Sequence, residues 1–341
     1  MTSPPAHPAV GEAGGSAIDP ALAPPLPRDA RGAVVTIGTF DGVHRGHRQV
    51  LAEIAARAER TGRRSVLVTF HPHPLRIVRP EAAPPLLTTA AEKKEILAES
   101  ELEYAVFLPF TRALQEYSAR RFVEEILLER LDMRELVVGY DHGFGKGREG
   151  GIDTLRDLGR ELGFAVDVVG AVHAADNPIS STRIRRALIA GDVVGAADGL
   201  GRPYSIRGPV VHGAKKGREL GFPTANIRLG DADKLLPREG VYAVYGRVGS
   251  ERVPGLLHLG PRPTFRGLSP SVELHLLDWE GDLYGTEVRV EFCSLLREIR
   301  PFASAEALIE QMRRDAEAGR AALARGEGSG SACSSRGDSL T

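Results

Sequence analysis

The chain has 341 residues, 42% hydrophobic and 26% charged, so it is long enough for two domains with their own cores. Its 44 basic and 45 acidic side chains nearly cancel, which gives no support to general binding of nucleic acid or membrane surfaces. Two cysteines are too few for a disulfide framework, no apolar run approaches the roughly 20 residues that span a bilayer, and no secretory signal opens the chain. We therefore expect a cytoplasmic protein.

Residues 1–31 are rich in Pro, Ala and Gly, and we expect this extension to be disordered. Strands and helices then alternate, which predicts an α/β domain with a doubly wound parallel sheet and ligands beyond the carboxyl ends of its strands. The predicted strands lie at 33–37, 65–70, 104–108, 136–139 and 165–169. The predicted helices lie at about 46–58, 92–97, 120–131 and 154–162.

The first strand runs through glycines into a helix, which is a place where phosphate binds because backbone N–H groups are unpaired there. His44 and His47 follow, one helical turn apart and on the same face. Imidazoles at this position can donate hydrogen bonds to phosphoryl oxygens. Paired histidines can also be capping or surface residues, and the spacing alone supports both interpretations about equally. His71, Gly139 and Asp141 also follow strand ends, so we expect them on the same edge.

The segment NPISSTRIRR, residues 177–186, is the second candidate phosphate site of this half. Ser180, Ser181 and Thr182 are typical of a helix N-cap, and Arg183 and Arg185 follow within the next turn. Hydroxyls, free N–H groups and guanidinium groups together suit a polyphosphate. An ordinary capped helix with solvated arginines fits the segment equally well.

Beyond a linker at 191–202, apolar stretches with β-branched residues replace the helices. Strands predicted at 205–211, 241–248, 272–277 and 288–292 indicate a small closed antiparallel β-barrel. A terminal helix is predicted at 304–324, with Ala307, Leu308, Met312 and Ala316 on one stripe. The boundaries expected are 32–190 for the first domain, 203–325 for the second and 326–341 for a disordered tail.

Two segments of the second domain carry candidate chemistry. VHGAKKGRELGFPTANI, residues 211–227, is a glycine-rich basic loop that lacks the P-loop order, and plain turns explain such loops more often than phosphate binding does. Thr224 and Asn226 follow Pro223 and alternate onto one side, where their neutral oxygens suit Mg²⁺ together with waters and nucleotide phosphates. Glu273 lies in an otherwise apolar strand and is either a general base or a carboxylate on a wet strand face.

Several motifs together resemble a known family. GTFDGVHRGH (38–47), TFHPHP (69–74), VVGYDHGFGKGREG (137–150) and ISSTRIR (179–185) are similar to the adenylyltransferase half of prokaryotic bifunctional riboflavin kinase/FAD synthetase. The stretches at 200–227, LGPRPTF (259–265) and VELHLLDWEGDLYG (272–285) resemble its riboflavin kinase half. The resemblance implies a Rossmann-like nucleotidyltransferase domain followed by a riboflavin kinase barrel with a terminal helix.

The resemblance also implies two reactions. The barrel would phosphorylate riboflavin at its ribityl 5′-hydroxyl with ATP, giving FMN. The first domain would transfer AMP from a second ATP to FMN, giving FAD and pyrophosphate. The implied partners are riboflavin, FMN and ATP, with Mg²⁺ as cofactor, no nucleic acid, no membrane, and a monomer or weak homo-oligomer.

Residue roles follow from the matched motifs. His44, His47 and Glu273 would be catalytic, and Thr224 and Asn226 would hold the metal. The adenylyltransferase nucleotide would be bound by Gly38, Phe40, Asp41, Gly46, Ser181, Thr182 and Arg185. The kinase nucleotide would be bound by Gly213, Lys216, Gly217, Arg218 and Pro223. The flavin would contact His71, Pro72, Asp141 and Arg297.

Some positions depart from the family pattern, which usually has an acidic residue where His71 stands, an aromatic-basic pair near His142-Gly143 and an acidic residue at the Ile299 position. Two other functions stay open beside the main one. The first domain can serve another phosphate substrate, with the barrel as a regulatory attachment, or the protein can be a flavin-binding sensor without turnover. An aminoacyl-tRNA synthetase shares the H-x-G-H signature, but the lysine-serine-lysine loop is absent and the chain is short.

Overall fold

The computed structural model describes residue 26 and residues 31–139, 150–170, 173–174, 177–212, 222–260 and 271–328. By the density of its contacts the chain divides into two compact units, Met1–Ile179 and Ser180–Thr341. Within the described ranges, no helix is both long enough and apolar enough to cross a bilayer.

The first unit is built on a parallel sheet of five strands, as the alternating pattern predicts. These are β1 (Ala33–Ile37), β2 (Arg64–His71), β3 (Tyr104–Pro109), β4 (Met133–Gly139) and β5 (Ala165–Val169). Their order across the sheet is β3-β2-β1-β4-β5, and all neighbouring pairs are parallel. The order reverses between β1 and β4, so the switch point, where ligands bind in such sheets, lies at the carboxyl ends of these two strands.

Helices connect the strands of the sheet. They are α1 (Arg45–Thr61), α2 (Leu75–Val78), α3 (Ala90–Ala98), α4 (Arg112–Gln115), α5 (Ala119–Phe122) and α6 (Ile152–Leu162). A 3₁₀ turn (Pro80–Ala82), a π-helical segment (Val123–Leu128) and the short strands β6 (His173–Ala174) and β7 (Asn177–Pro178) complete the unit.

Both faces of the sheet are covered, which confirms the doubly wound architecture. On one face Val34, Leu67 and Val137 pack against α1 and α3. On the other face Val35 and Leu136 pack against the π-helical segment and α6. The strands are therefore nearly continuous apolar runs, as is usual for parallel sheets buried on both sides. The predicted helix at 120–131 ends earlier, at Leu128, and most of it is π-helical, although its predicted apolar side is buried.

The second unit opens with two helices, α7 (Ser181–Ala190) and α8 (Val193–Leu200), the second of which fills most of the predicted linker. Six strands then form a closed barrel in the order β10-β11-β12-β9-β8-β13. Their bounds are β8 (Tyr204–Val211), β9 (Ala225–Ile227), β10 (Gly240–Val248), β11 (Glu251–Gly260), β12 (Ser271–Leu276) and β13 (Glu287–Arg297). The predicted closed antiparallel barrel is thus confirmed.

Strand β11 was not predicted, because its sequence ERVPGLLHLG carries Pro254 and Gly255 in the middle, where they normally interrupt a strand. The barrel uses the glycine for a close approach. A Cβ atom at Gly255 would lie 2.8 Å from the carbonyl oxygen of His275 on the neighbouring strand. Here tertiary packing overrides local propensity.

The terminal helix α9 (Ala305–Gly328) is capped by Ser304, whose Oγ accepts the N–H of Ala307 at 3.3 Å. The helix packs on the barrel through Ala316 and Leu323, while Ala307 of the predicted stripe is exposed. It continues to Gly328, beyond the predicted start of the tail at residue 326.

Leu26, inside the extension that we expected to be disordered, is buried and donates its N–H to the carbonyl of Arg130.

The barrel core offers a direct test of its packing. Phe292 is fully buried and meets Tyr242 edge-to-face, with ring centroids 5.1 Å apart. We expect Phe292→Ala to lower the free energy of unfolding of the barrel by about 3–5 kcal/mol, since it leaves a cavity, and Phe292→Leu to lower it by less. Urea unfolding followed by the fluorescence of Trp279, the single tryptophan of the chain, measures this. An unchanged midpoint for Phe292→Ala would contradict the assigned core.

Candidate active sites

The loop between β1 and α1 places His44 at the N-cap of the helix. Its Nδ1 accepts the backbone N–H of His47 at 3.3 Å, and its side chain is buried. Because Nδ1 accepts a hydrogen bond, a neutral His44 carries its proton on Nε2 and can donate from there. The cap therefore fixes both the position and the tautomer of this imidazole.

The two histidines of the motif lie together, as the spacing predicts. The rings of His44 and His47 are stacked with centroids 3.6 Å apart, and Phe40 packs on His47 with centroids 4.5 Å apart. A histidine at the N-cap and another in the first turn lie at the helix N-terminus, where the helix dipole favours anions. The arrangement suits stabilisation of negative charge on a phosphoryl group.

Gly46, between the two histidines, makes room for the first one. A Cβ atom at this position would lie 3.2 Å from the His44 ring, so a side chain would push the imidazole away. Gly38 is similarly close to Phe40, because a Cβ atom there would lie 3.0 Å from the phenyl ring. Both glycines therefore permit the packing of the rings that form the motif.

Asp41 anchors the loop to the segment before α3. Its carboxylate is buried and accepts the N–H groups of Leu87 and Thr88 at 3.0 Å each. The hydroxyl of Thr88 in turn accepts the N–H of Gly42 at 3.1 Å. The resemblance implies that Asp41 binds the nucleotide. In the structure its carboxylate contacts protein backbone, which suits a positioning role.

Lys93 is a second buried charge at this loop, and sequence analysis missed it. Its Nζ donates to the carbonyl of Thr39 at 2.7 Å. Burial lowers the pKa of Lys93 to about 8, and the nearby Asp41 carboxylate acts in the opposite direction. A signal existed in the sequence, because Lys93 lies one helical turn before the buried Leu97 and so on the buried side of its helix.

A small cavity adjoins these buried charges at the ends of β2 and β3. It is lined by Asp41, Phe70, His71, His73, Leu86, Thr88, Ala90, Lys93 and Phe107. His71 and Pro72 are exposed, whereas His73 is half-buried and its Nδ1 accepts the N–H of Leu75 at 3.2 Å. The predicted flavin residue His71 thus lies at a cavity beyond the end of its strand.

The ISSTRIR segment begins helix α7 as predicted. Ser180 is the N-cap, and its Oγ accepts the N–H of Arg183 at 3.3 Å. Ser181 and Thr182 occupy the first turn, Arg185 follows one turn on, and Thr182 is exposed. By contact density this helix belongs to the second unit, so its proposed action together with His44 stays a prediction.

Part of the predicted sites lies outside the described residues. These positions are Asp141 of the flavin site and Gly213, Lys216, Gly217 and Arg218 of the kinase nucleotide loop. Their roles stay predictions.

In the second unit, strand pairing aligns the predicted kinase residues. Asn226 of β9 pairs directly with Glu273 of β12, and Glu273 pairs on its other side with His258 of β11. Directly opposed residues lie on the same face of a sheet, so these three side chains form one row. The alternate residues Leu257 and Leu274 are buried in the barrel, so the row lies on its outer face.

Glu273 is half-buried and holds a hydrogen bond from the Oγ of Ser271 at 2.7 Å. Ser271 lies two residues away on the same strand and therefore on the same face. The bond occupies one carboxylate oxygen and orients the other. A carboxylate held in this way next to Asn226 is placed to accept a proton from a bound alcohol.

Pro223 and Thr224 lie just before β9. The Pro223 carbonyl lies 2.8 Å from Nδ1 of His275, which ties this segment to β12. Thr224 is two residues from Asn226 and thus on the same side of the chain. The Thr224 hydroxyl and the Asn226 amide oxygen are hard oxygen donors of the kind that Mg²⁺ prefers when nucleotide phosphates and waters complete its shell. Over the described part of the chain, no group of three or more His, Cys, Asp or Glu side chains is arranged to hold a metal ion by itself.

Arg297, the predicted flavin residue at the end of β13, is fixed by the terminal helix. Its guanidinium forms a fork with the buried Asp315, with Nε at 3.0 Å and Nη2 at 2.8 Å from carboxylate oxygens. The Nη1 donates to the carbonyl of Glu298 at 3.0 Å. The pair is nearly neutral as a unit, so Arg297 offers directed N–H groups rather than an unopposed charge.

A cavity of about 610 Å³ lies between the end of β12 and α9. Among the residues that line it are Phe222, Pro223, His275, Trp279 and Arg320. It begins at the segment that carries Thr224, so it adjoins the predicted kinase nucleotide site.

Comparison with known proteins identifies one family for each half of the chain. The FAD synthetase family model matches residues 26–183, and the riboflavin kinase family model matches residues 200–323. A bifunctional riboflavin kinase/FMN adenylyltransferase from Pseudomonas fluorescens is 41% identical over 295 residues, which covers 86% of this chain and 94% of the relative. Proteins of the same description from Escherichia coli (strain K12) and Bacillus subtilis (strain 168) are 38% and 34% identical, each covering 83% of this chain and 90% of the relative.

One solved structure has a similar fold over most of the chain. A crystal structure described as a macrolide-efflux protein from Streptococcus pneumoniae is 29% identical, with a TM-score of 0.77, and covers 85% of this chain and 94% of its own. That description differs from the names of the curated relatives, whose identity and coverage are both high. On the strength of those relatives and of the two family models, this chain belongs to the bifunctional riboflavin kinase/FMN adenylyltransferase family.

Proposed function

We propose that the two sites described above carry the two reactions of this family. The chain phosphorylates riboflavin with ATP to give FMN, and it adenylylates FMN with a second ATP to give FAD and pyrophosphate. The single observation that carries this function is the presence of both family matches, one after the other, in one chain. A cytoplasmic location and a monomeric or weakly oligomeric state remain our expectations.

Adenylyl transfer needs no covalent enzyme intermediate, because the FMN phosphate attacks the α-phosphorus of ATP directly. Catalysis is then positioning and stabilisation of charge. In our proposal the Nε2–H of His44 and the stacked His47 bind oxygens around the α-phosphate. Ser181, Thr182 and Arg185 bind the leaving pyrophosphate.

Two buried charged side chains hold the loop that leads to these histidines. Asp41 accepts backbone N–H groups of the segment 87–88, and Lys93 donates to the carbonyl of Thr39. In our proposal neither residue touches the nucleotide, and both position the loop before His44. Gly38, Phe40 and Gly46 form the surface over which the nucleotide lies.

In the kinase reaction the ribityl 5′-hydroxyl attacks the γ-phosphorus of ATP, and ADP leaves. Glu273 accepts the hydroxyl proton, while Thr224 and Asn226 would hold Mg²⁺. When bound, Mg²⁺ neutralises the charge on the transferring phosphoryl group. Pro223 and the glycine-rich loop after Val211 contact the nucleotide, and Arg297 contacts the flavin.

The two sites should be separable by substitution. We expect His47→Asn to convert riboflavin to FMN but not to FAD, because only the first unit loses its phosphoryl contact. Glu273→Gln should fail to phosphorylate riboflavin, lowering the rate by 100-fold or more through loss of the base, yet should still convert supplied FMN to FAD. Incubation with ATP and Mg²⁺, followed by chromatography of the flavins, measures both steps.

Each variant serves as the control for the other, since the step that it keeps shows that the protein is folded. Loss of both steps in either folded variant would contradict the assignment of separate sites. Absence of both FMN and FAD from wild-type reactions with riboflavin would contradict the function itself.

Lys93 gives the adenylyltransferase step a distinctive pH dependence. Above pH about 8 Lys93 loses its charge and with it the attraction to Asp41, so the rate of FAD formation from FMN should fall along an alkaline limb near that pH. Lys93→Met never carries the charge, so its rate should be low at all pH values and should lack this limb. Both pH profiles are measured as the initial rate of FAD formation from FMN at about ten pH values between about 6 and 10.

The neighbouring Lys94 supplies the matched control, because it is exposed and is rotated by about 100° around the helix from the buried Lys93. Lys94→Met should keep the wild-type rate and the alkaline limb. Persistence of the limb in Lys93→Met would show that another group causes it.

The metal assignment predicts a change confined to one reaction. We expect Asn226→Ala to raise the Mg²⁺ concentration that gives half of the maximal rate of riboflavin phosphorylation, by about tenfold, because the site loses one of its two protein oxygens. The Mg²⁺ requirement of FAD formation from FMN should not change in this variant. Titration of both steps with Mg²⁺ is the measurement, and equal shifts in the two steps would rule out this site.

A further inference from the structure

His258 is a polar side chain next to the proposed base that neither the motifs nor the proposed mechanism uses. It lies on β11 directly opposite Glu273, in the row that also contains Asn226. On its other side it pairs with Val241 of β10, which in turn pairs with Arg297. His258 therefore lies on the outer face of the barrel between the proposed base and the proposed flavin residue.

The barrel makes room for this imidazole. Gly260 lies two residues further along β11, on the same face, and pairs with Ser271. A Cβ atom at Gly260 would lie 2.8 Å from Cε1 of His258, so the ring lies over the glycine. The ring is thus held beside the pair formed by Ser271 and Glu273.

One ring nitrogen of His258 makes no hydrogen bond within the described part of the chain. Its Nδ1 is buried and has no hydrogen-bond partner among the residues that the structure describes. Glu273, its neighbour in the row, receives its internal hydrogen bond from Ser271 instead. Buried polar atoms without a partner are rare in folded proteins, and each one calls for an explanation such as a catalytic role or a bound water or ion.

The charge state of His258 suits hydrogen bonding to a neutral ligand. Burial lowers the pKa of the imidazole, and Arg297 acts in the same direction. Glu273 and Glu239 act in the opposite direction, but the net effect keeps the ring neutral at pH 7. A neutral imidazole has one N–H donor and one acceptor nitrogen. A hydroxyl group also has a donor and acceptor sites, so the two groups can hydrogen-bond to each other in either direction.

We propose that His258 is a specificity-determining residue that binds a second hydroxyl group of the polyol chain whose terminal hydroxyl is activated by Glu273. The inference rests on the proposed kinase function, in which that polyol is the ribityl chain of riboflavin. Neighbouring strands are about 4.8 Å apart, a distance that hydroxyl groups a few carbons apart on an extended chain can span. The row of Asn226, Glu273 and His258 would thus bind hydroxyl groups of the polyol chain, in addition to the contacts that the protein makes with the flavin ring.

The test uses a flavin whose ribityl chain is replaced by a 5-hydroxypentyl chain, which keeps the reacting hydroxyl and lacks the inner ones. Wild type should prefer riboflavin strongly, because the analogue leaves a buried polar group unpaired. In His258→Leu the ratio of kcat/KM for riboflavin to that for the analogue should fall by about tenfold. His258→Asn, which keeps hydrogen-bonding groups, should retain part of the preference.

Several outcomes distinguish the inference from its alternatives. Glu287→Gln, an exposed change at the opposite end of β13 from Arg297, should keep the wild-type ratio. An unchanged ratio in a His258→Leu variant that still phosphorylates riboflavin would overturn the inference and leave the proposed function intact. Failure of wild type to phosphorylate riboflavin would overturn the function itself.

A loss of folding is recognised separately, because Trp279 fluorescence reports on this unit. If His258→Leu does not fold, the ratio in His258→Asn decides, and a ratio equal to that of wild type would count against the inference. If both variants fold and lose all turnover of both flavins, His258 is catalytic and its role in specificity is wrong.

Discussion

The register of three barrel strands is the constraint on which the kinase site depends. Asn226, Glu273 and His258 are far apart in sequence, and only direct pairing across β9, β12 and β11 places them side by side. Successive side chains of a strand point to opposite faces, so a slip of one residue would turn Glu273 into the barrel and Leu274 to the outside. Such a slip would bury a carboxylate among apolar side chains, so the packing of the core also fixes the chemistry of the outer face.

The adenylyltransferase loop is positioned in a different way, through local caps and buried charges. His44 is placed by its bond to the N–H of His47, and the chain before it is held by Asp41 and Lys93. A buried carboxylate that accepts several N–H groups is stable because its charge is satisfied by hydrogen bonds. The loop is therefore rigid without being part of a regular element, which is what a site for charge stabilisation requires.

Much of this arrangement could be predicted from sequence where periodicity and spacing are local. Strand β1, helix α1 and the stacked His44 and His47 follow from apolar patterning and from the helical turn between the two histidines. The parallel sheet and the closed barrel follow from the switch between alternating elements and β-branched stretches. These features follow from patterns among residues that are close together in sequence, so a single amino-acid sequence is enough to predict them.

The contacts that escaped prediction join segments that are distant in sequence. Asp41 has the sequence context of a ligand residue, and only the approach of the segment 87–88 shows that backbone N–H groups occupy its carboxylate. His258 lies on β11, which local sequence does not predict as a strand because it contains Pro254 and Gly255. The position of His258 opposite Glu273 therefore could not be predicted. Long-range pairing decides both cases, and local propensity carries no information about it.

The electrostatics of the two sites match the charges of their proposed substrates. At the first site, imidazoles and a helix N-terminus face a reaction between two anions, FMN and ATP, and both groups favour negative charge. At the second site, the charge of Arg297 is offset by Asp315, and His258 is neutral. Riboflavin is uncharged, so hydrogen-bonding groups whose charge is already offset within the protein suit its polyol chain, while the charged parts of the site are left for the phosphates of ATP.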